Sequence, residues 1–240
     1  MAKPDPLLRA GHRERLRQKF TDGRLSDEEE LELLLTYIIQ RHDVRVLSRM
    51  LHKRFGSAYN TMLADSADIL SVDGAGTGVA MFFNLLRSIV TKGYKRHLVE
   101  SQVLANQTVL ENYCRTQLAH KKIEELHVFY LDHEFRLICD DLHNIGSVNM
   151  SYVYTDKILA DALTKGASMV ILCHNHPVGG ILPSLDDIEL TTHVGKMLLN
   201  HRIKLYDHII VGPDGAIYSM RNARQLGELE QYELKMSRTS

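Results

Sequence analysis

The segment that most constrains this chain is an uncharged run over residues 168–173, Ser-Met-Val-Ile-Leu-Cys, that ends in His174-Asn175-His176-Pro177. A short apolar run of this composition reads as a buried β-strand. Two imidazoles at i and i+2 on extended chain point the same way. Val178, Gly179, Gly180 and Pro183 then reverse the chain. Ser184 is a good helix N-cap, and it puts Asp187 on the first helical turn, from which a carboxylate can swing back toward both imidazoles. Each residue alone has an ordinary explanation: a cap for Ser184, a favourable helix-dipole contact for Asp187. Together they form a ligand set. Two His and one Asp leave a fourth tetrahedral position open for water, the arrangement of a catalytic rather than a structural zinc. Zinc there lowers the pKa of that water toward ~7 and polarises a carbonyl, so the expected chemistry is metal-assisted hydrolysis with one Zn2+ per chain.

Around this strand the second half of the chain alternates element types. Strands are expected over residues 126–131, 136–139, 145–154, 204–211 and 216–220, and helices over 108–118, 156–165 and 184–200. That alternation argues for an α/β or α+β domain. Residues 1–100 read instead as helices only. Ser26 and Glu29 fit a capping box ahead of Leu31, Leu34, Leu35, Ile38 and Ile39, which read as core. Asp43 is a candidate cap for a helix ending at Gly56. A short helix over 59–63, the segment 67–72, a glycine-rich turn and a long apolar helix from Val79 to about Val90 follow. Polar residues near 97–107 mark the boundary, which gives a helical domain over 1–100, an α/β domain over 105–225 and a tail over 226–240.

Bulk numbers exclude little. The formal net charge is -1, with 25% charged and 44% hydrophobic residues, an ordinary globular composition. Residues 1–100 hold 16 Lys/Arg against 13 Asp/Glu, a balance of +3, and the remainder carries 13 against 17, a balance of -4. The mildly basic front half is weak support for a phosphate-facing surface. Cys114, Cys139 and Cys173 are scattered and odd in number, which is no disulfide framework. Strand alternation points Cys173 away from His174, as a buried apolar thiol. With no secretory leader and no apolar run long enough to span a bilayer, the expectation is a cytoplasmic protein without a membrane partner.

A hydrolytic zinc site also needs a base. Glu124 and Glu125 enter the 126–131 strand, yet within Lys121-Lys122-Ile123-Glu124-Glu125 they read equally as a solvated charge cluster. Asp207 and His208 are candidates for outer partners of a ligand imidazole, or for a hydrogen-bonded strand-end pair.

His-x-His, seven residues, Ser, two residues, Asp resembles the JAMM (MPN-plus) metalloprotease signature. His174-Asn175-His176-Pro177, Gly179 and Pro183-Ser184 are similar to the bacterial RadC branch in particular. Tyr130-Leu131-Asp132, Gly146-Ser147-Val148-Asn149 and the 207–212 segment resemble RadC segments in the right order. The resemblance implies His174, His176 and Asp187 as zinc ligands. It implies Ser184 as the residue that steadies the oxyanion, and Glu124, with Glu125 second, as the base. It also implies a cytidine-deaminase-like α/β/α fold around a mixed sheet, acting on the peptide or isopeptide bond of an unidentified protein or peptide. This chain departs from the pattern at Val178, at Tyr154-Thr155-Asp156-Lys157 and at Ser219-Met220, positions that bear on substrate more than on metal.

Residues 69–80, with Gly74, Gly76 and Gly78, resemble a helix-hairpin-helix. Such a hairpin exposes backbone N–H groups at a helix N-terminus, which can hold a DNA phosphate without reading sequence. Arg87, Lys92, Lys95 and Arg96 are the candidate supporting cations, whereas Asp73 opposes them. The alternative function is therefore a DNA-associated repair or processing protein with salt-dependent, non-specific binding and a metal-dependent nuclease activity.

Overall fold

A computed structural model describes residues 6–39, 42–103, 106–146 and 152–237. The chain divides into two compact units, Met1–Ile89 and Val90–Ser240.

The first unit is helical: α1 (Pro6–Thr21), α2 (Asp27–Ile38), α3 (Arg45–Phe55), α4 (Ala58–Leu63), α5 (Ser66–Leu70) and the start of α6 (Thr77–Glu100). Ser26 and Glu29 cap α2 reciprocally, as their spacing implies. Leu31 and Leu35 of α2 are buried along with Leu16, Leu51, Ile69 and Phe83. Asp43 is not itself the N-cap of α3. Val44 is, while the Asp43 carboxylate accepts the Arg45 N–H at 3.0 Å and grips its guanidinium. Gly74 turns the chain between α5 and α6 with φ +86, a conformation that costs a residue with a Cβ.

The second unit is α+β. After α7 (Gln107–Leu118) come β1 (Glu125–Leu131), β2 (Leu137–Ile145), α8 (Tyr152–Thr164), β3 (Met169–Asn175), α9 (Leu185–Leu199), β4 (Lys204–Val211), β5 (Ile217–Ser219) and α10 (Gly227–Ser237). The strands form one mixed sheet in the order β2-β1-β3-β4-β5. Only β3 and β4 run parallel, joined by the α9 crossover; the other pairs are antiparallel. One face, with Leu126, Val128, Val170 and Leu172, packs against Ile158 and Ala162 of α8 and Leu190, Val194 and Leu198 of α9. On the other face Phe129 meets Tyr113 of α7. All seven residues of β3 are buried, as a central strand covered on both faces requires.

Three expectations need correction. The strand expected over 136–139 continues as one strand, Leu137–Ile145, with register shifts opposite Leu126/His127 and Tyr130/Leu131 of β1, and the strand expected over 145–154 contributes only Ile145 to it. Residues 147–151 of the second lie outside the described residues, and Tyr152 to Tyr154 open a helix instead. The apolar helix from Val79 begins two residues earlier and runs to Glu100. Residues 226–240 are not simply a tail: Leu226 and Leu229 are buried in the unit's core, and α10 packs on α9. Among the described residues no helix is long and apolar enough to cross a membrane.

Candidate metal centre

The end of β3 delivers His174 on the α9 face of the sheet, in register with Leu126. The His176 N–H bonds to the Val211 carbonyl at 2.9 Å, which continues the β3–β4 ladder for one more residue. Past the sheet the chain turns through Gly179, at φ +87, and the Gly180 carbonyl meets His176 Nδ1 at 2.8 Å. A carbonyl only accepts, so His176 carries a proton on Nδ1, and in the neutral tautomer this leaves Nε2 as the lone pair.

Asp187 arrives from α9 through a capping box in which it occupies the position usually held by Glu or Gln. Its Oδ2 accepts from the Ser184 N–H at 2.8 Å and the Ser184 hydroxyl at 2.6 Å. That leaves Oδ1 turned to His174 Nε2 at 3.2 Å. His176 Nε2 lies 3.5 Å from Oδ2 and 2.9 Å from His174 Nε2. Glu124 Oε1 stands 3.9 Å from His174 Nε2. These four side chains make one cluster of donor atoms, each within 4.8 Å of the others.

The donor set fits a small divalent cation. Tetrahedral Zn–N and Zn–O bonds of about 2.0–2.2 Å put neighbouring donors roughly 3.3–3.6 Å apart, and the separations of 2.9, 3.2 and 3.5 Å lie close to that range. The electrostatics agree. Burial first, and then the neighbouring His176, push His174 down to about 4 against the pull of Asp187, so its imidazole is neutral near pH 7. Burial would raise Asp187, but the His174 partner and the two Ser184 bonds outweigh it and hold the carboxyl low and ionised. Glu124 goes the other way: burial and the nearby Asp187 charge raise it, the setting of a carboxylate ready to take a proton. Two carboxylates with divergent affinities for a proton suit separate ligand and base roles.

Glu125, the other candidate base, faces the opposite side of the sheet. Its oxygens meet Lys121 at 2.9 Å and His127 at 3.2 Å. Ser184 is the α9 cap, and its hydroxyl proton is donated to Asp187. Asp207 does not touch the cluster: it accepts the N–H groups of His208 and Arg221 and the Ser219 hydroxyl. His208 does touch it, with Nε2 at 2.8 Å from His174 Nδ1.

Two participants had no signal in the sequence. Asn175, between the histidines, is buried and reaches back to β1, where its Oδ1 accepts the Glu125 N–H at 2.9 Å and its Nδ2 donates to the Ile123 carbonyl at 3.1 Å. Thr191, one turn after Asp187, lies against His208. A second group of possible donors, Asp141, His143 and Asp161, lies under α8. There the Lys165 ammonium sits 3.0 Å from Asp141 and 3.8 Å from Asp161, so these carboxylates already have a cation.

The glycine hairpin sits at the start of α6, with open space beside Gly76 and Gly78. Three of its four proposed cations are engaged within the protein. Arg87 is largely desolvated and donates to the Met62 and Ala64 carbonyls at 3.1 and 2.8 Å. Lys95 pairs with Asp140, and Arg96 with Glu100.

A mixed sheet between helices, with two histidines at the end of its central strand and an aspartate from the crossover helix, defines a JAB-type domain whose donor cluster could hold a metal ion. A family model described as the RadC-like JAB domain matches residues 104–226. The UPF0758 protein SPO0054 of Ruegeria pomeroyi is 35% identical over 204 residues, which cover 84% of this chain and 91% of the relative. The chain belongs to the RadC family.

Proposed function

We propose that this protein is a zinc-dependent hydrolase of the JAMM type that cleaves peptide or isopeptide bonds. His174, His176 and Asp187 hold the ion. The single observation that carries the reading is the position of Glu124. An extra carboxylate with a raised proton affinity stands beside a neutral His174 and an ionised Asp187, 3.9 Å from His174 Nε2. Glu124, the second carboxylate and fourth donor of the cluster, stands farther from His174 Nε2 than Asp187 does, 3.9 Å against 3.2 Å, which suits a base beside an open coordination position rather than a fourth ligand. When bound, zinc supplies Lewis acidity toward a carbonyl and makes water acidic enough to attack near pH 7. Glu124 takes the proton of the attacking water and returns it to the leaving amine. Ser184 holds Asp187 in place. For it to steady an oxyanion as well, its hydroxyl must turn from Asp187 Oδ2 to the substrate.

The DNA-associated alternative has less support, because Arg87, Lys95 and Arg96 are engaged within the protein.

The test is metal content by mass spectrometry together with turnover on a panel of peptide and isopeptide substrates. About one zinc per chain, lost in His176→Ala, is expected. Glu124→Gln should keep the zinc and lose about 10²–10⁴-fold in turnover. A wild-type protein that takes up no zinc would end the hydrolase reading.

A further inference from the structure

We infer that Thr191 and His208 form a proton-ordered relay that fixes which nitrogen of His174 is bare, and so aims its lone pair at the metal centre. The inference rests on the metal reading above and assigns His208 as a positioning residue for it.

The order of protons follows from one acceptor. The Asp187 backbone carbonyl lies 2.5 Å from Thr191 Oγ1. A carbonyl has no proton to give, so the Thr191 hydroxyl donates there. Met220 Sδ, at 3.6 Å, is the weaker acceptor for the same proton. With its single proton committed, Thr191 Oγ1 can only accept from His208 Nδ1, 2.6 Å away. His208 is fully buried between β4 and α9, where an imidazolium would be costly, so the neutral ring has its one N–H on Nδ1 and a bare Nε2. That Nε2 meets His174 Nδ1 at 2.8 Å and can only accept. His174 therefore carries its proton on Nδ1, and its bare Nε2 faces His176 Nε2 at 2.9 Å and Asp187 Oδ1 at 3.2 Å. The reverse order fails at its first step. If Thr191 donated to His208, two oxygens would face each other at 2.5 Å with no proton between them.

The relay starts at the Asp187 carbonyl, crosses from α9 to β4 to β3, and ends at the bare Nε2 of His174, which faces the Asp187 carboxylate. Two proposed ligands from different elements are thus set by one chain of hydrogen bonds. The second N–H of a ligand imidazole is usually accepted by a carboxylate, a carbonyl or water. Here a neutral imidazole accepts it and adds no charge beside the site.

The experiment uses full-length protein with 15N-labelled histidine. Tautomers are read from ring-nitrogen shifts in the metal-free state, and Zn2+ affinity from chelator competition. His174 and His208 should both show a protonated Nδ1 and a bare Nε2 without metal. His208→Leu should weaken Zn2+ binding about 10- to 100-fold. His208→Gln should recover most of that loss, because its amide oxygen accepts from His174 and its amide N–H donates to Thr191. Thr191→Val, which keeps both imidazoles, should mix the tautomers of His208 and His174 and weaken Zn2+ binding by less. Melting curves of the metal-free variants separate a folding defect from a loss of alignment. A proton on His174 Nε2 in the metal-free wild type would overturn the proposal, as would Zn2+ affinity unchanged in both His208→Leu and Thr191→Val. If the wild type takes up no Zn2+, the hydrolase reading fails, and the tautomer spectrum alone decides the relay.

Discussion

Asn175 Oδ1 accepts the backbone N–H of Glu125 at 2.9 Å, and this bond ties the end of β3, between the two histidines, to the strand start that presents Glu124. The Asn175 Nδ2 bond to the Ile123 carbonyl at 3.1 Å closes the clamp from the other side. Glu124 lies between these two anchored residues. The residue between the two histidines therefore sets the position of the base relative to the metal donors, although its side chain points to the opposite face of the sheet.

Asn175→Ala should retain zinc yet lower turnover by up to about a hundredfold, because a base displaced by roughly 1 Å loses its alignment. The buried amide's bonds should also cost about 1–3 kcal/mol in stability. Zinc stoichiometry, kcat and thermal unfolding measured on one preparation check this. Full turnover in the variant would mean that Glu124 is held by something else.

The C-terminal helix is expected to be part of the fold. A Cβ at Gly195 of α9 would overlap the Leu229 side chain, so the two helices touch along that line. Leu229→Ala should destabilise the protein by about 2–5 kcal/mol, and Gly195→Ala should destabilise it by forcing α10 away. Urea unfolding measures both. A chain ended at residue 225 that melts like the full-length protein would contradict the assignment of Leu226 and Leu229 to the core.

Stability of the metal-free protein should fall as pH drops below about 6.5. His174 is held down to about 4 by burial, and burial also lowers His143 and His208. Between the folded and unfolded values the unfolded chain binds more protons, so stability is present above the window and is lost as pH falls through it. Each such imidazole contributes a slope of up to about 1.4 kcal/mol per pH unit. Melting temperatures from pH 7.5 down to about 4.5 provide the check; a flat profile would place these rings in water.

DNA affinity should be weak. Fluorescence anisotropy with a duplex oligonucleotide at low salt should give no binding tighter than the non-specific range of about 10⁻⁴–10⁻⁶ M. Whatever is observed should not depend on Arg87 as a phosphate contact, because its guanidinium is bound to the Met62 and Ala64 carbonyls. A steep salt dependence lost in Gly76→Glu would instead bring the hairpin back as an interface.

Local signals were the legible part. The 204–211 strand and the Ser26 and Ser184 caps follow from periodicity and backbone preference, which act within a few residues. The single β2 strand was less legible, because its bulge is imposed by pairing with β1 and has no local mark. Helix α10 has few apolar residues of its own, and its burial depends on α9 being present. Arg87 read as a surface cation because its charge is visible in the sequence, whereas the carbonyls that bind it come from residues more than twenty positions earlier.

By itself the sequence determined the donor types, their spacing and the strand-loop-cap geometry that brings His174, His176 and Asp187 to one end of a sheet, because those are short-range properties of extended chain and a helix N-terminus. Only the tertiary structure decided that Glu124 rather than Glu125 faces them, that Asn175 clamps β1, and that His208 and Thr191 order the protons behind His174. Those relationships join residues 17 to 50 positions apart along the chain. They exist only once β1, β3, β4 and α9 are packed, because a hydrogen bond needs its partners within about 3 Å and in line.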